Sequence, residues 1–130
     1  MSTFNAIGVA GTGVTVYRKW LDAVSDNIAN MNNTTRTSEN AFQARYVIAQ
    51  EAQDGNGAQV GGVAFGSAQG ILTYEPDNPL ADNQGYVRRP DVDLSSQMSQ
   101  MMMAQRAYQA NLSVVDRAKE CYTAAINLGK

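Results

Sequence analysis

Two unbroken three-and-four apolar spacings, one at each end of the chain, constrain its fold more than any other feature. Over residues 3–31, Ile7, Ala10, Val14, Tyr17, Leu21, Val24, Ile28 and Met31 follow one another in steps of three and four. A repeat of 3.5 residues puts them on one stripe of a helix, as a seam that another helix covers. At 1.5 Å per residue this helix would be roughly 40 Å long. Gly8, Gly11 and Gly13 each cost about 1 kcal/mol relative to Ala, which predicts a frayed first third unless a partner covers it.

The C-terminal third repeats the pattern. Pro90 marks a break and Asp93 is placed to cap the helix beyond it. The stripe then runs Leu94, Met98, Met101, Gln105, Tyr108, Leu112, Val115, Lys119, Tyr122 and Ile126. Gln105 and Lys119 interrupt it. A polar seam residue costs stability and fixes register or partner number; the plainer reading is that a slight rotation takes both to solvent, where Lys119 snorkels. A second row, Ala104, Ala107, Val114, Ala118, Cys121 and Ala125, lies beside the first. This helix is apolar over more of its circumference than one partner helix covers. Gly129 suits a position just past its end.

The middle has a different character. Asn32-Asn33-Thr34-Thr35 is a helix stop, because these side chains compete for the backbone. Strand-like runs follow at Tyr46–Ile48, Val60–Phe65, Ile71–Tyr74 and Tyr86–Arg88, separated by the turn-rich 53–57 and 75–79. The chain therefore divides into an N-terminal helix (1–31), an extended linker with a small β-rich module (32–92) and a C-terminal helix (93–130). The expected class is α+β: discontinuous N- and C-terminal long helices packed as a coiled-coil hairpin around a small β-rich middle with extended linkers. Two helices cannot bury all of this apolar surface between themselves, and the surplus predicts association.

Composition removes several classes of chemistry. The 130 residues contain no His and one Cys. No Ser-His-Asp or Cys-His machinery, His-ligated metal or internal disulfide is expected from them. With 10 Lys+Arg against 12 Asp+Glu, the charge does not suit a duplex-binding protein. No stretch approaches the roughly 18 apolar residues of a membrane span. The start lacks the basic and apolar regions of a cleavable secretory signal. No catalytic residue, cofactor, metal, nucleic acid or small-molecule substrate is expected.

The remaining motifs favour packing over chemistry. Gly8-Val9-Ala10-Gly11-Thr12-Gly13 has glycines in the wrong order for a dinucleotide or phosphate loop and reads as a helix start that lets a neighbour approach closely. A small nucleotide-binding enzyme would rest on that cluster alone. Met98, Met101, Met102 and Met103 cover more than one helix face, as core filler or as an adaptable contact surface. Asp91 and Asp93 are too few for calcium, and capping accounts for Asp93. Cys121 reads as a small buried hydrophobe. The Asn-X-Thr patterns at Asn32 and Asn33 read better as a helix terminator than as glycosylation sites.

Several of these segments resemble one family. Ala10–Val14, Leu21-Asp22-Ala23-Val24-Ser25-Asp26-Asn27-Ile28-Ala29-Asn30 and Asn33-Thr34-Thr35-Arg36-Thr37 resemble the N-terminal motif of bacterial flagellar axial proteins. Met101–Asn111, with Arg106, Tyr108, Ala110 and Asn111, resembles the matching C-terminal signature of the rod proteins. Tyr74–Asp82, Gly85–Val87 and Pro90–Asp93 look like the linker before the last helix in proximal-rod members. Asn27, Asn30, Thr34, Tyr74 and Asp93 are the family-motif positions.

The resemblance implies a structural subunit of the flagellar basal-body rod, polymerising through its terminal helices into a torque-transmitting shaft. It implies export by the flagellar type III apparatus without a cleaved signal, location in the cell envelope, and contacts with copies of itself and the rod proteins FlgB, FlgF, FlgG and FliE. Ile7, Val14, Tyr17, Leu21, Val24, Ile28, Met31, Leu112, Val115, Tyr122 and Ile126 are then the helix-seam candidates. Met98, Met101, Met102, Met103, Gln105, Arg106, Tyr108 and Asn111 are the subunit-interface candidates. The competing reading is a soluble coiled-coil adaptor or export chaperone of the same system, which would be folded and dimeric in isolation.

Overall fold

A computed structural model describes residues 3–130. Its elements run α1 (Thr3–Asn30), β1 (Arg45–Glu51), β2 (Ala58–Phe65), β3 (Ile71–Tyr74), β4 (Tyr86–Arg89) and α2 (Leu94–Leu128). This is the expected α+β arrangement: two long terminal helices packed on each other, with two hairpins between them in sequence. α1 is continuous from Thr3 through its glycines, so the described chain has no irregular first third. It stops at Asn30, ahead of the Asn-Asn-Thr-Thr segment, and Thr35 then pairs as an isolated bridge with Arg88 of β4.

β1 and β2 form one two-stranded sheet and β3 and β4 another. The first hairpin turns through Ala52–Gly57, where the Ala52 N–H donates to the Gly57 carbonyl at 3.0 Å. The second is antiparallel and pairs Ile71 with Arg89 and Tyr74 with Tyr86. α2 begins with the expected cap: Asp93 Oδ2 accepts the Ser96 N–H at 2.8 Å. Gly129 keeps a negative φ, so α2 ends without a left-handed cap.

The chain forms two compact units. The first combines the described part of Met1–Leu21 with Val47–Gly62 and Met102–Lys130; the second combines Asp22–Tyr46 with Val63–Met101.

In the first unit α1 and α2 meet through small residues. A methyl added at Gly13 would lie 2.8 Å from Asn111 Oδ1. Glycine is therefore what lets α2 come this close. Ala10, Val16 and Ala104 are buried. Ala107, Tyr108, Asn111, Val115 and Ala118 of α2 are half-buried, while Gln105, Leu112, Lys119, Tyr122 and Ile126 are exposed.

The inward face of α2 thus mixes the small residues Ala104, Ala107 and Ala118 with Asn111 and with Tyr108 and Val115 of the large apolar stripe. Leu112 and Ile126 of the expected seam are exposed, and Gln105 and Lys119 reach solvent. Tyr122, also exposed, packs edge-on against Phe4 of α1 with ring centroids 4.9 Å apart. Cys121 is exposed as well, not buried.

The second unit packs around Val24 and Val87, both essentially inaccessible, with Ala23, Ala41 and Ala44 beside them. Its turns are tied by side chains. Arg88 donates through its guanidinium to the backbone carbonyls of Thr37 and Gln69, binding three stretches of chain together. Gly70, at φ 55°, passes directly against the Arg89 carbonyl and the Ala41 methyl, where no side chain fits.

Candidate functional site

The site of a chain like this is a set of surfaces and the internal contacts that hold them in shape. In the first unit, Thr12 ties α1 to the first hairpin. Its hydroxyl donates to the Val9 carbonyl at 2.6 Å and accepts the Ala58 N–H at 3.1 Å. Beside this tie Val16, Tyr17, Trp20, Val47, Ala49 and Ala58 wall an apolar cleft of about 280 Å³. That is just below the roughly 300–1,000 Å³ of small-molecule sites. Met102, Met103, Leu112, Val114, Tyr122, Ile126 and Leu128 are exposed along α2.

In the second unit the most constrained group is Asn27. Its carboxamide is fully buried. Oδ1 accepts the Arg45 N–H at 2.8 Å, and Nδ2 donates to the Arg45 carbonyl at 2.9 Å and to Gln97 Oε1 at 3.0 Å. Asn27 thereby pairs with Arg45 as an adjacent strand would, at the start of β1. Gln97 is buried with it. Outside them Asp26 and Arg45 form an exposed ion pair at 3.0 Å, of a type that contributes about 0–1 kcal/mol.

Asp82 organises the β3–β4 turn. Its carboxylate accepts the N–H groups of Gln84 at 2.9 Å and Tyr86 at 3.0 Å, and the Thr37 hydroxyl at 3.2 Å. The Tyr86 N–H is the largest influence. Together these donors hold the carboxyl below its ordinary value near 3.8, against a smaller opposing effect of burial. Tyr74 and Tyr86 pack edge-on at 5.4 Å, and Arg89 pairs with Glu75.

The positions named from sequence separate by environment. On α1, Val24 is buried and Ile7, Val14, Tyr17, Leu21 and Ile28 are half-buried, as is Met31 in the turn just past its end. On α2, Met98, Met102, Met103, Gln105 and Arg106 are exposed, whereas Met101 and Tyr108 are half-buried. Asn111, one of the subunit-interface candidates, is half-buried against Gly13 of its own chain and donates to the Ala107 carbonyl at 2.9 Å. Asn30 donates to the Asp26 carbonyl at 2.9 Å, and the Thr34 hydroxyl makes only a long 3.4 Å contact with the Asn32 carbonyl.

Sequence reasoning passed over Gln97 and Thr12 as structural residues. The only available signals were a polar side chain four residues past a cap and a hydroxyl among glycines. Among the described residues, no group of three His, Cys, Asp or Glu is placed to hold a metal ion, and no helix is long and apolar enough to cross a membrane.

The chain is 34% identical to the flagellar basal-body rod protein FlgC of Salmonella typhimurium, with the whole of both chains aligned. The chain belongs to the FlgC family of flagellar basal-body rod proteins. It is 27% identical to FlgC of Bacillus subtilis, again with both chains covered in full. It is 30% identical to FlgC of Aquifex aeolicus over 94% of this chain and 93% of that one. The pattern of the flagellar basal body rod FlgEFG protein C-terminal family matches residues 83–128, which take in β4 and all of α2. The alignments with the Salmonella and Bacillus relatives therefore span both helices and both hairpins.

Proposed function

We propose that this chain is a structural subunit of the flagellar basal-body rod, located in the basal body. The observation that carries this reading is its alignment with rod proteins over the whole of both chains. In the finer form of the proposal, the chain belongs to the proximal rod and polymerises through its terminal helices. Its neighbours are copies of itself and the rod proteins FlgB, FlgF, FlgG and FliE, and it arrives through the type III export apparatus without a cleaved signal.

Exposed apolar side chains support polymerisation through the helices. Met98, Met102 and Met103 project from α2, with Leu112, Val114 and Ile126 farther along it. Methionines adapt to non-identical neighbours, which suits a subunit that must meet several kinds of surface. Heterologous contacts that do not close on themselves would extend into a tube, and long helices packed side by side would resist torsion.

Deleting the gene from its host should abolish motility and remove rods from isolated basal bodies; a motile deletion strain overturns the rod assignment. Met102→Glu with Met103→Glu should leave the purified chain folded, because both side chains are exposed. The same pair should prevent incorporation, since each new charge would lose its hydration in a packed contact. Normal incorporation of that variant would overturn the helix-surface part and leave the rod assignment standing.

A further inference from the structure

We infer that Asn27, together with Gln97, is the pin that fixes the register of α1 against α2 at the start of β1. Three hydrogen bonds converge on one buried carboxamide: both Nδ2 hydrogens and Oδ1 are engaged, at 2.8 to 3.0 Å. A slide of α1 by one residue moves Asn27 about 1.5 Å along the axis and turns it about 100°, and a slide by one turn moves it about 5.4 Å. Either shift breaks all three bonds and leaves the Arg45 backbone and two amides buried without partners. An unpaired buried polar group is costly, so neighbouring registers are disfavoured together and sharply.

The apolar residues on the same faces carry much less register information. Ala23 is small, and Met101 of α2 is a flexible thioether that repacks readily. The exposed Asp26–Arg45 ion pair is solvated and adapts to small displacements. The α2 side of the pin is itself fixed, because the Gln97 N–H donates to the Asp93 carbonyl at 3.0 Å and Asp93 caps the same turn. Asn27 therefore sets α1 against the capped start of α2, where the helix has least freedom to slip. A single buried polar residue on a helical seam has this effect in coiled coils, at some cost in stability. Gln105 and Lys119, the polar residues on the sequence stripe, are exposed in this chain and take no part in this pin.

Distances between spin labels at Ser25 on α1 and Ser99 on α2 test the inference in the purified full chain, with Cys121→Ser removing the native thiol. Both label sites are exposed. The parent should give one narrow distance. Gln97→Glu keeps an acceptor for Asn27 and should keep that narrow distance. Asn27→Leu and Gln97→Leu should each give a broadened or split distribution, with populations up to about 5 Å apart, one helical turn. Val24→Ala opens a cavity in the same unit without touching the amides; it should lower the melting temperature and leave the distance narrow. A single unchanged distance in both leucine variants overturns the inference. Equal broadening in Val24→Ala also overturns it, because packing would then hold the register. If Asn27→Leu does not fold, Gln97→Leu carries the test alone, since it leaves both Arg45 bonds in place.

Discussion

The two compact units hold their elements together by different means. The first relies on nearness: glycine and small side chains let α1 and α2 approach, the Thr12 hydroxyl bridges to Ala58, and an apolar cleft stays open beside them. The second relies on side-chain hydrogen bonds: Asn27 and Arg88 each make two or more to distant parts of the chain, Asp82 joins two donors of its own turn to the distant Thr37 hydroxyl, and Val24 and Val87 are fully buried. A region held by nearness can still gain much from a neighbouring chain, because its apolar surface is unfinished. The second unit also has unfinished apolar surface, since Phe65, Ile71, Leu72, Tyr74 and Met98 are exposed on it; what sets it apart is that side chains tie its turns.

Substitutions sharpen this contrast, and the largest effect is expected in the second unit. Gly70→Ala would place a methyl on the Arg89 carbonyl and 2.7 Å from the Ala41 methyl, at a backbone angle that already disfavours side chains. Backbone cannot swing away as a side-chain tip can. A loss of about 3 kcal/mol or more is expected, read as a large drop in the urea midpoint. A loss near zero would mean that this unit is looser than its contacts indicate.

In the first unit the signs should divide along one helix. Gly8→Ala meets nothing within 4 Å and should stabilise the isolated chain by about 1 kcal/mol through helix propensity. Gly13→Ala brings the same propensity gain but meets the Asn111 carboxamide, which is itself bonded to Ala107. The gain should therefore be cancelled or reversed, leaving the two variants about 1–2 kcal/mol apart in chemical denaturation. Equal stabilisation by both would mean that the close approach at Gly13 is not what holds α2. Combining Gly13→Ala with Asn111→Ala should restore the gain.

Much of this fold was legible in the sequence, and what was missed has a common cause. The three-and-four spacing of Ile7 through Met31 located α1, and β-branched and aromatic runs located four strands. Pattern reading ranks residues by apolarity, so it put Leu112, Tyr122 and Ile126 on the α2 seam. Close approach at Gly13 also weighs size, and the covered residues of α2 combine Ala104, Ala107, Asn111 and Ala118 with Tyr108 and Val115 of the apolar stripe. The Asn27–Arg45–Gln97 cluster left no periodic trace because its members are 18 and 70 positions from Asn27 and are polar. A polar side chain on a buried face looks like an interruption until its partners are known.

The smallest expected effect lies in the turn of the second unit. Asp82 is solvent-exposed, yet its carboxylate gathers backbone donors from Tyr86 and Gln84 and the hydroxyl of Thr37. These donors favour the charged form, so its folded pKa lies below the ordinary value near 3.8. A depressed folded pKa contributes stability that is fully present above the ordinary value and is lost as pH falls through the depressed one. Asp82→Asn keeps an acceptor for the Tyr86 and Gln84 N–H groups and removes the charge. At neutral pH the variant should show a slightly lower urea midpoint than the parent. Below about pH 4 the two curves should converge, because the parent loses its carboxylate there and the variant has none to lose. Parallel curves down to pH 2 would mean that the charge contributes nothing to the turn, and that the hydrogen-bond geometry alone holds Thr37 to the β3–β4 connection.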